Sequence, residues 1–251
     1  MKTSEAQRKT AEEKISRQET ADAIKTPEQL LSIMKASAMG DMCFAHMLSY
    51  LKIGMTEKQA ADEIERFLLG LGAERLAFPT IVVSGERSNL MHGEPTDKAI
   101  EAGDFVTLDF GGVVDGFCGD MTRTVAMGKV SDYQRDVYQV VLTAQRAALA
   151  ACKAGVRCID VDRAARQVIA AAGLEEAFCH GTGHSVGREV HEEPRINKTN
   201  EDGVLEEYMA VTIEPGVYLP RQFGVRIEDL AIITKFGTIN TVTAPKELII
   251  L

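Results

Sequence analysis

Read for the spacing of its apolar positions, the chain switches between the helical period and the period of two that marks a half-buried strand. Residues 25–51, "KTPEQLLSIMKASAMGDMCFAHMLSYL", are apolar at helical spacing, with Thr26 as N-cap, Pro27 in the first turn and Glu28 beside it. "MTEKQAADEIERFLLGLG" (55–72) predicts a second amphipathic helix, opened by Thr56 and Glu57 and closed by Gly70 or Gly72. "FPTIVVSG" (78–85) predicts a strand, and residues 106–120 predict a hairpin. Two more helices are predicted over 132–155 and 158–173, then a histidine-rich segment, then strands near 209–214 and 225–234. The order helix, helix, strands thus occurs twice, which suggests two similar halves. Residues 1–25 are polar with both charge signs, and predict a solvated helix or frayed extension ahead of a domain over 26–251.

The hairpin "VTLDFGGVVDGFCGD" contains an anomaly. Val106, Leu108 and Phe110 alternate around Asp109, so a carboxylate sits in an apolar strand. Burying even an uncharged polar group without a partner costs roughly 2–7 kcal/mol, and a charge costs more. With Asp115-Gly116 as the central turn residues, Val114 pairs with Phe117 and Asp109 faces Thr122. Asp120 then lies on the same face as Asp109, diagonal to it. The pattern recurs in "TIEPGVYLPRQFGVRIED" (212–229), where a loop symmetric about Arg221 sets Glu214 opposite Glu228. A single acid in a strand ordinarily faces solvent or pairs locally, and Arg123 and Arg226 are the available partners. Arg226 shares the parity of Glu228, whereas Arg123 has the opposite parity to Asp120, so the two arginines cannot explain both pairs alike.

Composition narrows the setting. The polar start carries no apolar core of a secretory signal, and no apolar run is long enough to span a bilayer. The five cysteines (43, 118, 152, 158, 179) are scattered without a CxxC, which suits reduced thiols in the cytoplasm. A net charge of −9 argues against a nucleic-acid partner, and bound cations would compensate part of it. Of the five histidines, His180, His184 and His191 fall within the glycine-rich "HGTGHSVGREVH", and His92 precedes the hairpin. His46, in the first helix, is assigned a packing role. Carboxylates with one imidazole suit Mn²⁺, Co²⁺, Fe²⁺ or Zn²⁺. Four carboxylates would neutralise two such ions, which about 3.5–4 Å apart can share a hydroxide and clamp a hydrolytic transition state.

The ordered set Asp109, Asp120, His184, Glu214, Glu228 resembles the two-metal site of the pita-bread metallopeptidases, the family of methionine aminopeptidase, aminopeptidase P and prolidase. "GDMTRTVAMG", "HGTGHSVGREVHEEP", "EPGVY" and "GVRIED" carry the likeness, over about residues 24–251. It implies an α+β, pseudo-two-fold fold with helices outside a curved antiparallel sheet that holds the metals. It also implies that Asp109 chelates one ion, Asp120 and Glu228 bridge two, and His184 and Glu214 complete the second. Glu214 would accept the proton of the attacking water, and His92 and His191 would steady the scissile amide and the oxyanion. His180 would shape the pocket, and Arg195 and Arg226 would face the substrate, one holding a dipeptide carboxylate. Mn²⁺ or Co²⁺ are the expected ions, with Fe²⁺ or Zn²⁺ as alternatives.

The motifs resemble the proline-specific branch, which cleaves Xaa-Pro bonds as a dipeptidase or an aminopeptidase P. Chain length resembles methionine aminopeptidase, since about 25 residues stand in place of the N-terminal domain through which the proline branch dimerises. Monomer and homodimer both remain open. The alternatives are methionine aminopeptidase, a peptide-binding module without activity, and an amidine hydrolase of the creatinase type.

Overall fold

The structure is a computed structural model that describes residues 23–251, so the expectation for the first 22 residues lies outside the described residues. Helix α1 (Pro27–Tyr50) starts where Thr26 accepts a hydrogen bond from the Gln29 amide while the Gln29 side chain accepts from the Thr26 amide. Helix α2 (Glu57–Gly70) repeats this capping box with Thr56 and Gln59, and α3 (Asp132–Ala151) with Ser131 and Gln134. Such caps are each worth about 0.5–2 kcal/mol. Helix α4 (Cys158–Ala171) packs along α3 and has no side-chain cap.

In the first half, β1 (Ile81–Ser84), β2 (Phe105–Phe110) and β5 (Met121–Ala126) form an antiparallel sheet in the order β1-β2-β5. The ribbon of β3 (Val113–Val114) and β4 (Phe117–Cys118) extends the hairpin. Its turn residues Asp115 and Gly116 both have positive φ, 50° and 75°, as a tight hairpin turn requires. The expected pairings of Val114 with Phe117 and of Asp109 with Thr122 are both present.

The second half differs from the expectation in detail. The glycine-rich histidine segment, which shows no alternation, contains β6 (Gly183–Ser185), and β7 (Glu192–Ile196) follows it directly. The two predicted strands become four: β8 (Ala210–Ile213), β9 (Gly216–Leu219), β10 (Phe223–Arg226) and β11 (Asp229–Ile233). With β12 (Thr238–Asn240) they give a five-stranded sheet, β12-β11-β8-β6-β7, and a β9-β10 ribbon. The single curved sheet is therefore realised as two sheets and two ribbons.

The reason for the breaks is local. Pairs Ile213–Asp229 and Gly216–Arg226 keep one register across the gap, so Glu214 and Glu228 oppose each other as predicted. Pro215 has no amide to donate to the ladder. The Glu214 amide instead donates to the Thr182 carbonyl at 2.7 Å, and the Glu228 amide to the Thr122 carbonyl at 3.1 Å. Each interruption thus binds the hairpin to a neighbouring strand or loop.

Two apolar clusters fill the molecule. Phe44, Met47, Ile64 and Phe110 mark the one beneath α1 and α2, and Leu142, Ile169, Val211 and Ile227 mark the one beneath α3 and α4. His46 stacks on Phe67 at 4.2 Å and bonds Glu63 at 2.6 Å, a packing role as expected. Between the halves, Arg123 is 1% exposed. Its guanidinium donates to Asp229 at 2.8 Å and to the carbonyls of Glu228, Ala244 and Pro245. It faces away from Asp109, as its parity requires. Removing one partner of a buried ion pair typically costs about 3–5 kcal/mol. Arg123→Met is therefore expected to lower unfolding stability by about that amount in urea, and a loss under 1 kcal/mol would deny it this bridging role.

Candidate metal centre and substrate cavity

A cavity of about 900 Å³ opens between the two halves, and every candidate site residue of the sequence analysis lines it. Its floor is the group of carboxylates. Asp109 projects from β2, 8% exposed; its Oδ2 accepts from Arg226 at 2.5 Å, while Oδ1 is buried with no hydrogen-bond partner. Asp120 lies just before β5, and Glu228 at the β10–β11 break accepts from the Thr122 hydroxyl at 2.6 Å. Glu214, at the β8–β9 break, accepts from the Thr212 hydroxyl at 3.2 Å.

His184 sits in β6, opposite Arg195 of β7. Gly183 lets β6 run this close to β8, because a Cβ there would come within 1.9 Å of the Thr212 carbonyl. Nδ1 of His184 lies 3.1 Å from the Ser185 carbonyl, a partner that only an N–H satisfies. With the hydrogen on Nδ1, Nε2 faces Glu214 (3.2 Å) and Asp120 (3.7 Å): it donates to Glu214 when it too bears a proton and offers its lone pair to a cation when it does not. Donor atoms of Asp120, His184 and Glu228 lie within 4.8 Å of one another.

The electrostatics of this floor are unbalanced. Burial, then the charges of neighbouring acids, push Asp120 and Glu228 well above the usual carboxylate range. Asp109 is raised too, chiefly by burial, although Arg226 opposes the shift. For Glu214 burial also acts upward, but the His184 hydrogen bond and the positive fields of His184, His180 and Arg226 outweigh it and leave it near 2. Four carboxylates against one guanidinium, an orphaned Asp109 oxygen and an imidazole lone pair aimed inward fit divalent cations.

The walls come from more distant segments. His191 stands edge-on to His184 at 4.4 Å, and His180 bonds the Tyr218 hydroxyl at 3.0 Å. Burial lowers both imidazoles to about 4, so both are neutral at pH 7. His92 is exposed on the loop after β1, and Arg195 holds Glu193 loosely at 3.5 Å. Arg226 is 3% exposed, and its guanidinium is committed to Asp109, Thr122, Tyr218 and the Met91 carbonyl. Tyr218 links His180 to Arg226, a part that the sequence reading missed although residues 214, 216 and 218 share one parity. Behind the wall, Asp162 on α4 accepts from the Thr182 amide and hydroxyl, and its partner Arg166 holds the His180 carbonyl. No periodicity marked either residue.

With this geometry in hand, the chain matches the model of metallopeptidase family M24 over residues 32–235, and it belongs to that family. It is 40% identical over 226 residues to the Xaa-Pro dipeptidase of Pyrococcus furiosus, covering 90% of this chain and 65% of that one. It is 44% identical over 228 residues to the uncharacterized peptidase YqhT of Bacillus subtilis, covering 91% of this chain and 64% of the relative. The structure of an Xaa-Pro dipeptidase from Bacillus anthracis superposes with a TM-score of 0.91 at 43% identity, over 93% of this chain and 65% of that one. An X-Pro aminopeptidase from Thermotoga maritima gives 0.91 at 37% identity, over 94% and 67%. The fold is thus the α+β pita-bread fold, and the chain spans just under two thirds of the length of the curated relatives it matches. Family membership implies divalent metal ions. Among the described residues, no helix is long and apolar enough to cross a membrane.

The upward shifts of Asp120 and Glu228 make protons compete with a cation for these carboxylates, so binding is linked to proton release. Calorimetric titration with Mn²⁺ is expected to give higher affinity at pH 8 than at pH 6, with protons released. Glu228→Gln is expected to keep the fold and weaken that binding. Equal affinity at both pH values would mean that Asp120 and Glu228 are ionised before the metal arrives.

Proposed function

We propose that this protein is a two-metal exopeptidase that removes the N-terminal residue ahead of proline, as an Xaa-Pro dipeptidase or an aminopeptidase P-like enzyme. The observation that carries the reading is the buried Asp109 oxygen without a partner, on a floor where carboxylates outnumber cationic side chains. Asp109, Asp120, His184, Glu214 and Glu228 would hold the ions, Mn²⁺ or Co²⁺, in a catalytic domain over residues 26–251. Bound there, two divalent ions supply Lewis acidity and a nucleophile available at neutral pH.

The remaining roles belong to the chain. Glu214, the most readily ionised of the four acids, accepts the proton of the attacking water and returns it to the departing amine. His191, neutral at pH 7, donates a hydrogen bond where negative charge develops on the carbonyl oxygen or the scissile amide, and His92 donates a second. His180 holds Tyr218, and through it Arg226, so that the Asp109 carboxylate keeps its orientation. Arg195, with only a loose partner, is free to take the carboxylate of a dipeptide. The volume of about 900 Å³ is ample for a short peptide. Cysteines without a CxxC support a reducing, cytoplasmic setting.

Metal-stripped protein, reloaded with Mn²⁺ or Co²⁺, is expected to hydrolyse an Xaa-Pro dipeptide and an Xaa-Pro-Xaa tripeptide but not Met-Ala-Ser. Release of methionine would favour the methionine aminopeptidase reading, and inactivity with every substrate the binding-module reading. Arg195→Ala is expected to raise KM about tenfold or more for the dipeptide, and less for the tripeptide, as loss of a charged contact predicts. His191→Ala is expected to lower kcat at unchanged metal content; loss of metal would make it a ligand instead.

A further inference from the structure

Glu57 is the first residue of α2, it does not line the cavity, and it is fully buried. A buried carboxylate needs several hydrogen bonds, and Glu57 has them. Its Oε1 accepts from the amide and hydroxyl of Ser84, at 2.7 and 3.0 Å. Its Oε2 accepts from the Arg87 guanidinium at 3.0 Å and from the amide and hydroxyl of Thr96, at 3.1 and 2.7 Å. One side chain therefore ties together both ends of the segment 84–96.

That segment is the cavity wall that carries His92. Arg87, held by Glu57, also donates to the Glu94 carbonyl at 2.7 Å and so closes the loop across His92. From the cavity side Arg226 donates to the Met91 carbonyl at 3.2 Å. The upstream anchor is rigid with respect to the floor, since β1 pairs with β2 from Ile81–Asp109 to Ser84–Val106. From Asp109 through β1 and Ser84 to Glu57 the connection is buried or half-buried throughout, and Glu57 reaches the His92 loop at the half-buried Thr96.

We propose that Glu57 is a positioning residue for the reaction: it fixes His92 relative to the carboxylate floor and acts on turnover through that histidine alone. The inference rests on the substrate-side role given to His92 above. Misplacement of a reacting group by about 1 Å can cost about 100-fold in rate. In Glu57→Gln, an amide NH₂ would face the donors of Arg87 and Thr96, and the loop would lose its fixed place.

The test is a double-mutant cycle on metal-loaded protein with an Xaa-Pro dipeptide, comparing Glu57→Gln, His92→Ala and the pair. Glu57→Gln is expected to lower kcat by about 10- to 100-fold at unchanged metal content and with KM within about threefold. The double variant is expected to be no slower than His92→Ala. Amides of 85–95 should exchange hydrogen faster in Glu57→Gln, while those of β2 and β5 do not. Multiplied losses in the double variant, or a normal kcat in Glu57→Gln, would overturn the inference. Wild-type turnover by His92→Ala would instead remove the role of His92, and the positioning role with it. Should Glu57→Gln not fold, Thr96→Val removes one donor and keeps the carboxylate, and it must show the same non-additivity with His92→Ala.

Discussion

Asp109, Asp120, Glu214 and Glu228 share the floor of one cavity, and Arg226 is the guanidinium that faces them there. Two like charges about 4 Å apart, in a medium of effective dielectric near 20, repel by about 4 kcal/mol. The fold holds them together nonetheless, and most of its unusual features follow from doing so. Three of the acids sit at or beside interruptions in the strand ladders, where the backbone leaves its partner strand and turns an amide or a carbonyl toward another segment. A regular strand would aim alternate side chains at the cavity but would give their backbones no independent anchor. The breaks at Glu214 and Glu228 supply one, through Thr182 and Thr122.

Around this floor the threonines act as spacers. Thr122 donates its hydroxyl to Glu228 and accepts from Arg226, and Thr124 exchanges hydrogen bonds with the Arg226 backbone. Their short, stiff side chains stitch the β5 edge to β10 where no ladder exists. The catalytic geometry therefore depends on contacts between the two halves, and not on either half alone.

Much of this was legible in the sequence, for a simple reason. Hairpins with short loops convert sequence distance into position, so Asp115-Gly116 fixed Asp109 opposite Thr122 and Arg221 fixed Glu214 opposite Glu228, and the observed registers agree. Capping boxes made the helix starts equally plain. What periodicity could not reveal was held by long-range contacts. β6 and β7 are short, and their places are set by pairing, β6 with β8 and β7 with β6, while Asp162 lies one helical turn from Arg166 in what reads as an ordinary surface pair. The family resemblance implied a substrate-facing Arg226; it does reach the cavity, but Asp109, Thr122, Tyr218 and the Met91 carbonyl fill its donors, and nothing local in the sequence announced those partners.

The buried acids of this molecule divide into two kinds, and the division separates scaffold from site. Glu57 has Arg87, Asp162 has Arg166 and Asp229 has Arg123, each a carboxylate closed off by a guanidinium and by further donors. Pairs of this kind break roughly even in free energy but fix one geometry, which suits elements that must hold loops in place. Asp120 and Glu214 have only His184 as an ionic partner among the described residues, and Glu228 has only a threonine hydroxyl. A chain that supplies arginines to its structural acids and withholds them from these three leaves room for cations of another source. The family match over residues 32–235 encloses both kinds, the open floor and the clamps that aim its histidines.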